Sequence, residues 1–440
     1  MYREVGAVPG DCKIFIWEDN GMIWIGIFII VLTLVAIIKR YETRMVLFLA
    51  GLAMALAAGR PLEAMDAFAK AMVNQGLVTT ICTVMGFSYV MKVTGCDSHL
   101  VNCLTGLLKR VKFLLIPGSV VLTWVLNIAL PSTAGCSAAV GAVLIPTLMK
   151  SGVHPAMAAA CLMGGTFGST LSPGLVHNPF VAKLANVDVM TVIAGHAPAV
   201  LAALVISAAS LTVVCHLRKE GPSAERAAAF GGGEESFKVN PVRAVVPAVP
   251  LVLLVLGSKL VGVIPPVSVP QAMIMGAMLG FVVTWQDPQE ISRSFFKGMG
   301  ESYAEIIGII IAAAVFTQGM EIIGLTGALI EKMKQSEDIA LYAASFGPYL
   351  LAVLSGSGDA AALAFNGAVT PHAAQFGFTI TDMGSLATIA GALGRTMSPV
   401  AGATIVCATL AGVNPIEIAK RTAPGMFLAL IAVLMIFAMK

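Results

Sequence analysis

Polar residues interrupt two long apolar segments of this chain, and the two interruptions share one pattern. Residues 165–173 are Gly-Thr-Phe-Gly-Ser-Thr-Leu-Ser-Pro, and residues 391–399 are Gly-Ala-Leu-Gly-Arg-Thr-Met-Ser-Pro. Gly and Pro free backbone groups that an unbroken helix would pair, and inside a lipid bilayer those groups need other partners. Matching interruptions in two halves of a chain are typical of a transporter whose binding site lies near the middle of the membrane.

Two further polar turns interrupt apolar sequence, Pro-Ser-Thr-Ala-Gly at 131–135 and Ser-Gly-Ser-Gly-Asp at 355–359. Half-helices that end at such turns and breaks present unpaired N–H groups, which suit an anion, or carbonyl groups, which suit a small cation. The alternative is that Ser, Thr and Gly only mark close contacts between helices. We predict that the following residues bind the substrate: Ser132, Thr133, Gly135, Thr170, Ser172, Asn178, Ser355, Gly356, Ser357, Gly358, Arg395, Thr396 and Ser398.

Arg395 is the most informative single residue, because a charge at that depth is costly unless it faces a cavity or a partner. Its planar guanidinium could hold a carboxylate through two parallel hydrogen bonds. An internal ion pair with Asp359 is the alternative role, and the two roles are compatible. Asp359 is also our candidate for binding a coupling proton or sodium ion. His177, directly after the first break, could donate to the substrate, but for it we expect a position at the membrane interface without a chemical role.

The composition indicates a protein that crosses the membrane several times. Hydrophobic residues make up 58% of the chain and charged residues 12%, and the net charge is +3. No Lys/Arg block typical of nucleic-acid binding occurs, and the eight cysteines lack the spacing of a metal site or disulfide framework. We expect no nucleic-acid partner, metal, cofactor or enzyme activity. We expect no removable signal peptide at the N-terminus, so Gly21–Ile38 should remain as the first span.

The apolar segments predict an all-α polytopic membrane protein with two halves, each containing a re-entrant hairpin and a broken transmembrane helix. The first half covers 1–216, with its hairpin at 113–150 and its broken helix at 155–184. A polar linker covers 217–243, and the second half covers 244–440, with a hairpin at 340–372 and a broken helix at 384–411. Arg60–Lys70 is expected to form a mixed loop, and 97–112 a helix along the membrane surface.

Matched blocks indicate that the two halves arose by duplication. In addition to the breaks, two blocks match at offsets of 226 to 227 residues. Phe68, Lys70 and Met72 match Phe295, Lys297 and Met299, and residues 141–143 match residues 367–369. Five crossing segments in each half would make the second repeat inverted. With the N-terminus outside, 17 Lys and Arg residues lie inside, nine lie outside and Arg395 lies within the membrane. The positive-inside rule favours this orientation, with both termini outside and the linker inside.

The hairpin and broken-helix pattern resembles the ion-transporter superfamily of secondary carriers. Within it, the tip at 355–358 and the break at 394–399 are similar to those of DcuC-type anaerobic four-carbon dicarboxylate carriers. The resemblance implies a homodimeric carrier of succinate, fumarate and malate in the bacterial inner membrane, so that both termini would be periplasmic. It also implies an elevator-type movement, driven by exchange or by cation coupling. Asp359 departs from the family pattern and leaves the coupling ion open.

Other functions remain open on the residues alone. The same scaffold could serve a sodium-ion or proton antiporter, or a carrier of another small organic anion or an amino acid. A channel would need a continuous polar pore, whereas these hairpins suggest gates. A membrane enzyme would need a nucleophile–base pair, a phosphate loop or a metal-binding spacing, and the sequence contains none of these patterns.

Overall fold

The computed structural model of this chain is built from helices. It describes residues 12–39, 41–73, 75–108, 115–229, 237–257, 262–328 and 337–440. Over those ranges the backbone forms helices, turns and bends without a β-strand. The expected all-α class is confirmed.

Ten α-helices cover the described part of the first half. They are α1 (Cys12–Ile38), α2 (Thr43–Ala57), α3 (Pro61–Met72), α4 (Gln75–Thr94), α5 (Cys96–Leu108), α6 (Leu115–Ala129), α7 (Thr133–Lys150), α8 (Pro155–Met163), α9 (His177–Ala185) and α10 (Val189–Leu217). A 3₁₀ turn, Gly168–Leu171, lies between α8 and α9.

The described part of the second half follows the short helix α11 (Ala224–Ala229). Its helices are α12 (Pro241–Val245), α13 (Val249–Leu256), α14 (Val269–Thr284), α15 (Pro288–Ser302), α16 (Gly308–Ile322), α17 (Glu337–Ser355), α18 (Gly358–Ala368), α19 (Ile380–Met397), α20 (Gly402–Ala411) and α21 (Pro415–Ala438). A π-helical turn, Tyr303–Ile307, joins α15 to α16. Short 3₁₀ turns cover Val246–Ala248 and Thr370–Phe376.

Local sequence sets where several helices begin. Proline occupies the first turn of α3, α8, α12, α15 and α21, where its missing N–H removes no helical hydrogen bond. Asp188, Asp287 and Asn414 cap α10, α15 and α21 by accepting hydrogen bonds from backbone N–H groups two residues on.

The prediction of a mixed loop over Arg60–Lys70 is wrong, because α3 occupies Pro61–Met72. Its mixed composition is that of an amphipathic helix, with Ala64 buried against neighbouring helices and Lys70 exposed. The surface helix expected over 97–112 corresponds to α5, and its basic end at Lys109 lies outside the described residues. Residues 230–236 of the linker also lie outside them.

Several helices are long and apolar enough to cross a membrane, which makes the chain a multi-pass membrane protein. Within the described ranges these are Leu77–Thr94, Thr133–Lys150, Val189–Leu217, Pro288–Ile322 and Pro415–Ala438. Thr43–Ala57, Leu115–Ala129 and Val269–Thr284 are shorter apolar helices. Thr133–Lys150 is an arm of a predicted hairpin, so helix length alone does not separate an arm from a span.

The helices pack into two groups, and each group combines both halves of the chain. In one group, called the framework helices (α2–α4 and α14–α16), α2 packs on α16, and α4 packs on α14 and α15. In the other, called the core helices (α6–α10 and α17–α21), α17 packs on α19, α10 on α21, and α7 on α20. One cluster of buried apolar side chains runs through the core helices of both halves. Separate clusters join the framework helices.

Matching helices of the two halves make matching contacts. The contact of α2 with α16 corresponds to that of α14 with α4, and α3 on α16 corresponds to α15 on α4. The repeated glycines also have one role in both halves. A Cβ on Gly168 would lie 2.1 Å from the Trp124 carbonyl oxygen, and one on Gly394 would lie 2.3 Å from the Tyr349 carbonyl oxygen. Only glycine therefore lets α6 and α17 approach the two interrupted segments this closely.

Candidate functional site

A serine at each polar turn caps the helix that follows it. Ser132 Oγ accepts a hydrogen bond from the Gly135 N–H (3.2 Å) at the start of α7, and Ser357 Oγ accepts one from the Ala360 N–H (3.1 Å) at the start of α18. The first turns of a helix carry unpaired N–H groups and a partial positive charge. Each polar turn thus presents a helix N-terminus that suits an anion.

Both turns line a single cavity of about 270 Å³, although more than 200 residues separate them in the chain. Ser132 and Thr133 come from the first turn, and residues 356–359 from the second. Arg395 lines the same cavity from the end of α19, while Ile81 and Glu305 line it from the framework helices. The cavity therefore lies where the two helix groups meet, and it has the size of a small organic ion.

Arg395 connects the second break to the first. Its side chain is only 8% exposed, and its Nη2 donates a hydrogen bond to the Thr166 carbonyl oxygen at 3.0 Å. Nη1 lies 3.7 Å from Asp359 Oδ1, within ion-pair distance. The buried Nε has no partner among the described residues. The guanidinium is thus held in place, with one buried N–H donor left without a partner.

Asp359 lies in the first turn of α18 and is 47% exposed, so its carboxylate faces open space in the cavity. The His177 Nε2–H donates a hydrogen bond to Asp359 Oδ1 at 3.1 Å. The His177 ring is only 3% exposed, so it is buried inside the protein, while its position relative to the membrane interface stays a prediction. Sequence reasoning missed this contact, although the position of His177 directly after the first break was a usable signal.

Uncharged side chains satisfy the backbone of the first break. Asn178 donates from Nδ2 to the carbonyl oxygens of Thr170 (2.8 Å) and Ser172 (2.7 Å). Asn127 Oδ1 accepts from the Ser169 N–H at 2.7 Å. His196 Nε2 donates to the Thr170 carbonyl oxygen at 3.0 Å. The freed groups of this break are therefore paired inside the protein.

The second break is satisfied in part by its own hydroxyl groups. Ser398 Oγ donates to the Val353 carbonyl oxygen at 2.7 Å and accepts from the Val400 N–H at 3.3 Å. Thr404 Oγ1 donates to the Ser398 carbonyl oxygen at 2.8 Å. These bonds hold the Met397–Gly402 turn against α17 and α20, with Arg395 one turn before it.

The structure brings only some of the predicted site residues to the cavity. Those that line it are Ser132, Thr133, Gly356, Ser357, Gly358, Asp359 and Arg395. Those outside its lining are Gly135, Thr170, Ser172, Asn178, Ser355, Thr396 and Ser398. Thr170, Ser355 and Thr396 donate their hydroxyl groups to carbonyl oxygens of their own segments, at Phe167, Leu351 and Ala392. These three hydroxyl groups therefore stabilise the local backbone.

Glu305 is a second residue that sequence reasoning missed. It lies in the π-helical turn and lines the cavity from the framework helices. An acidic residue within the apolar stretch 303–318 was the available signal, because charges in such segments face a cavity or a partner.

Residues 23–440 match the protein family described as DcuC, C4-dicarboxylate anaerobic carrier. A Haemophilus influenzae protein described as an uncharacterized transporter is 43% identical over 271 residues, which is 59% of this chain and 97% of that protein. The anaerobic C4-dicarboxylate transporter DcuC of Escherichia coli is 28% identical over 167 residues, 37% of this chain and 36% of that one. These names describe transporters, and they agree with the expectation that the chain is not an enzyme.

The fold is similar to that of a solved transporter structure. The antimetabolite efflux pump MtrF of Neisseria gonorrhoeae superposes with a TM-score of 0.61, at 12% sequence identity, over 94% of each chain. At that identity the similarity concerns the fold alone.

Proposed function

We propose that this chain, which belongs to the DcuC family of C4-dicarboxylate anaerobic carriers, carries small four-carbon dicarboxylates across the bacterial inner membrane. Succinate, fumarate and malate are the substrates we expect. The observation that carries the proposal is the cavity in which two helix N-termini and a buried arginine converge. This arrangement offers positive charge at more than one point, as a ligand with two separated carboxylates requires.

One substrate carboxylate would bind Arg395. The guanidinium is fixed by its bond to Thr166, so little side-chain freedom remains to be lost on binding. The other carboxylate would accept hydrogen bonds from N–H groups at the starts of α7 and α18, with Ser132, Thr133 and Ser357 beside it. The residues outside the cavity lining would act by holding the turns and breaks in shape.

Alternating access would come from a movement of the core helices against the framework helices, of the elevator type. A second cavity of about 460 Å³ also lies where the core helices meet the framework helices. Along α4, Leu77 lines the second cavity and Ile81 the first; along the α16 segment, Ile310 lines the second and Ile306 the first. An apolar cluster that includes Leu77, Ile81 and Ile310 lies between the cavities. We expect this cluster to part when the substrate crosses.

Two inverted repeats remain our proposal for the topology, supported by the matching contacts of the two halves. The charge contacts also join segments that we assign to the same side. Arg421 pairs with Glu220, and both belong to the proposed inner face. Lys440 pairs with Asp382 (2.8 Å) at the proposed outer face. A cysteine placed at Gly232 should then resist a membrane-impermeant thiol reagent in intact cells, whereas labelling from outside would reverse the orientation.

A homodimer embedded in lipid completes the proposal. α1 exposes large apolar side chains, including Trp24 (70% exposed) and Phe28 (63% exposed), which suit lipid or a second copy. Light scattering of the purified protein, corrected for detergent, would distinguish one copy from two.

Uptake into proteoliposomes tests the function directly. We expect labelled succinate to accumulate, and internal fumarate to accelerate it if the carrier exchanges substrates. Repeating the assay with an imposed pH gradient and with a sodium gradient identifies the coupling ion. The proposal would be overturned if no succinate uptake occurred under any of these conditions, with protein whose cooperative thermal unfolding shows that it is folded.

The exposed carboxylate of Asp359 favours one second candidate, a sodium-ion or proton antiporter. Another small organic anion or an amino acid could also occupy the cavity. The antiporter predicts sodium–proton exchange in the same proteoliposomes without any organic anion. The dicarboxylate carrier predicts no such exchange until succinate is added.

A further inference from the structure

Glu305 holds a distinctive place in the cavity of the proposed carrier. Of the residues that the structure describes, three with charged side chains line that cavity: Arg395, Asp359 and Glu305. Arg395 and Asp359 belong to the core helices and face each other at 3.7 Å. Glu305 approaches from the framework side and is exposed to the cavity. Among the described residues, its carboxylate has no hydrogen-bond or ion-pair partner.

The π-helical turn explains how Glu305 comes to face the cavity. A π turn inserts one extra residue into a helix and leaves a backbone carbonyl without its usual partner. Here the Ala304 carbonyl oxygen accepts a hydrogen bond from Arg44 Nη1 on α2, at 2.6 Å. The turn is also fixed at Tyr303, whose hydroxyl donates to the Met72 carbonyl oxygen at 3.1 Å. Bonds from two framework segments thus hold the turn that places Glu305 and Ile306 at the cavity.

The ionised side chains that line the cavity give it a negative balance, against the partial positive charge of the two helix N-termini. With Glu305 and Asp359 ionised, the lining carries two negative charges against the single positive charge of Arg395. Other ionisable groups near Glu305 include Tyr89 on α4, Tyr303 in the same turn, Glu301 one turn earlier on α15 with its partner Lys297, Arg44 behind the turn, and His177 behind Asp359. Arg44 is directed at the Ala304 carbonyl and also pairs with Glu42, so its charge is largely matched. A substrate with two negative charges would add to an excess of negative charge.

We propose that Glu305 determines the charge that the site accepts, by making dianion binding depend on a cation taken up beside it. The cation is either a proton bound to the Glu305 carboxylate or a sodium ion bound next to it. Both neutralise the same negative charge. Either neutralises a carboxylate that lines the cavity from the framework helices. This inference rests on the proposed dicarboxylate transport and names the residue that couples it to a cation.

The test compares Glu305→Gln with wild type and with Glu290→Gln. Glu290 is an exposed carboxylate on α15, outside the cavity lining, and serves as the matched control. Binding of labelled succinate to purified protein is measured from pH 5.5 to 8.5 in choline buffer, and then against sodium at pH 8 and constant ionic strength. The first series reports a proton and the second a sodium ion.

Wild type and Glu290→Gln should bind succinate more tightly as protons or sodium ions increase. Glu305→Gln should bind succinate about tenfold more tightly than wild type at pH 8 without sodium, because a facing unit charge is removed. Its cation dependence should be flattened. Glu305→Asp, which keeps the charge, should restore the dependence. An unchanged cation dependence in Glu305→Gln would overturn the inference while leaving dicarboxylate transport intact.

One measurement on wild type alone keeps the test decisive if the Gln variant does not fold. Succinate added to weakly buffered wild-type protein should take protons from solution, or its affinity should rise with sodium. Succinate binding that is indifferent to both cations would overturn the inference. Failure of wild type to bind or transport succinate at all would instead remove the proposed function.

Discussion

The two interrupted segments share a sequence pattern but differ in charge. In the first, uncharged Asn127, Asn178 and His196 satisfy the backbone. In the second, Arg395 occupies the position that corresponds to Ser169 in the aligned motifs. The capped turns differ in the same way, because the second residue after the capping serine is Ala134 in one and Asp359 in the other. The second copy thus has a pair of opposite charges where the first has small neutral residues.

The two interrupted segments therefore have different roles. The first is uncharged, its backbone is held by hydrogen bonds, and its Thr166 carbonyl oxygen accepts a hydrogen bond from Arg395. The second supplies the charged groups that face the cavity. The two halves can thus share their packing while only one half carries charge, since an unpaired charge inside the membrane is expensive.

The largest effect should come from the feature that the two halves share. Gly168→Ala and Gly394→Ala each place a Cβ against a backbone oxygen, at 2.1 and 2.3 Å. Both should lower the free energy of unfolding by about 3 kcal/mol or more, since backbone cannot move aside as a flexible side chain can. Thermal unfolding in detergent and folded yield measure the effect.

Gly195→Ala is the matched control for both glycines. Gly195 lies within α10 and has open space where a Cβ would be built. This variant should be neutral or slightly stabilised, because alanine favours a helix over glycine. Loss of stability at only one of Gly168 and Gly394 would contradict equal packing roles in the two halves.

The sequence predicted the interrupted segments and part of the cavity lining. Apolar periodicity and the repeated Gly/Ser/Pro pattern located the interruptions, and the charges at Arg395 and Asp359 marked the cavity. It did not distinguish Thr170, Ser172 and Asn178 from residues that face the cavity, because a polar residue at a break serves equally well as a brace. Glu305 was missed since a π turn changes the face a residue presents, and no periodicity in the sequence records that turn.

A smaller effect should follow from removing a brace of the first break. Asn178→Ala takes one of two donors from the carbonyl oxygens of Thr170 and Ser172, which keep His196 and the Leu175 N–H respectively. The stability should fall by about 1–3 kcal/mol, while the apparent KM for succinate of the folded protein stays near that of wild type. Asn102→Ala, which removes one bond to a part-buried carbonyl on α5, is the control and should cost less. A raised KM with unchanged stability would instead put Asn178 in contact with the substrate.

The smallest effects should come from the two caps, which compare the turns directly. Ser132→Ala and Ser357→Ala each remove one capping bond, worth about 1 kcal/mol of stability. Both variants should also raise the apparent KM for succinate by a similar few-fold factor, because both helix N-termini face the cavity. Thermal unfolding and uptake kinetics measured on the same preparations check this. A KM effect confined to Ser357→Ala would limit substrate binding to the second half.

The role of Arg395 is the central claim, and a double-mutant cycle with Asp359 tests it most directly. Arg395→Gln and Asp359→Asn alone should each reduce folded yield, since each leaves the other charge without its partner. Combining them should restore the yield but not succinate uptake. Arg395→Lys should fold and transport with weaker apparent affinity, by about 1.5–3 kcal/mol for a lost charged hydrogen bond. Recovery of uptake in the double variant would contradict the account, because Arg395 would then only balance Asp359.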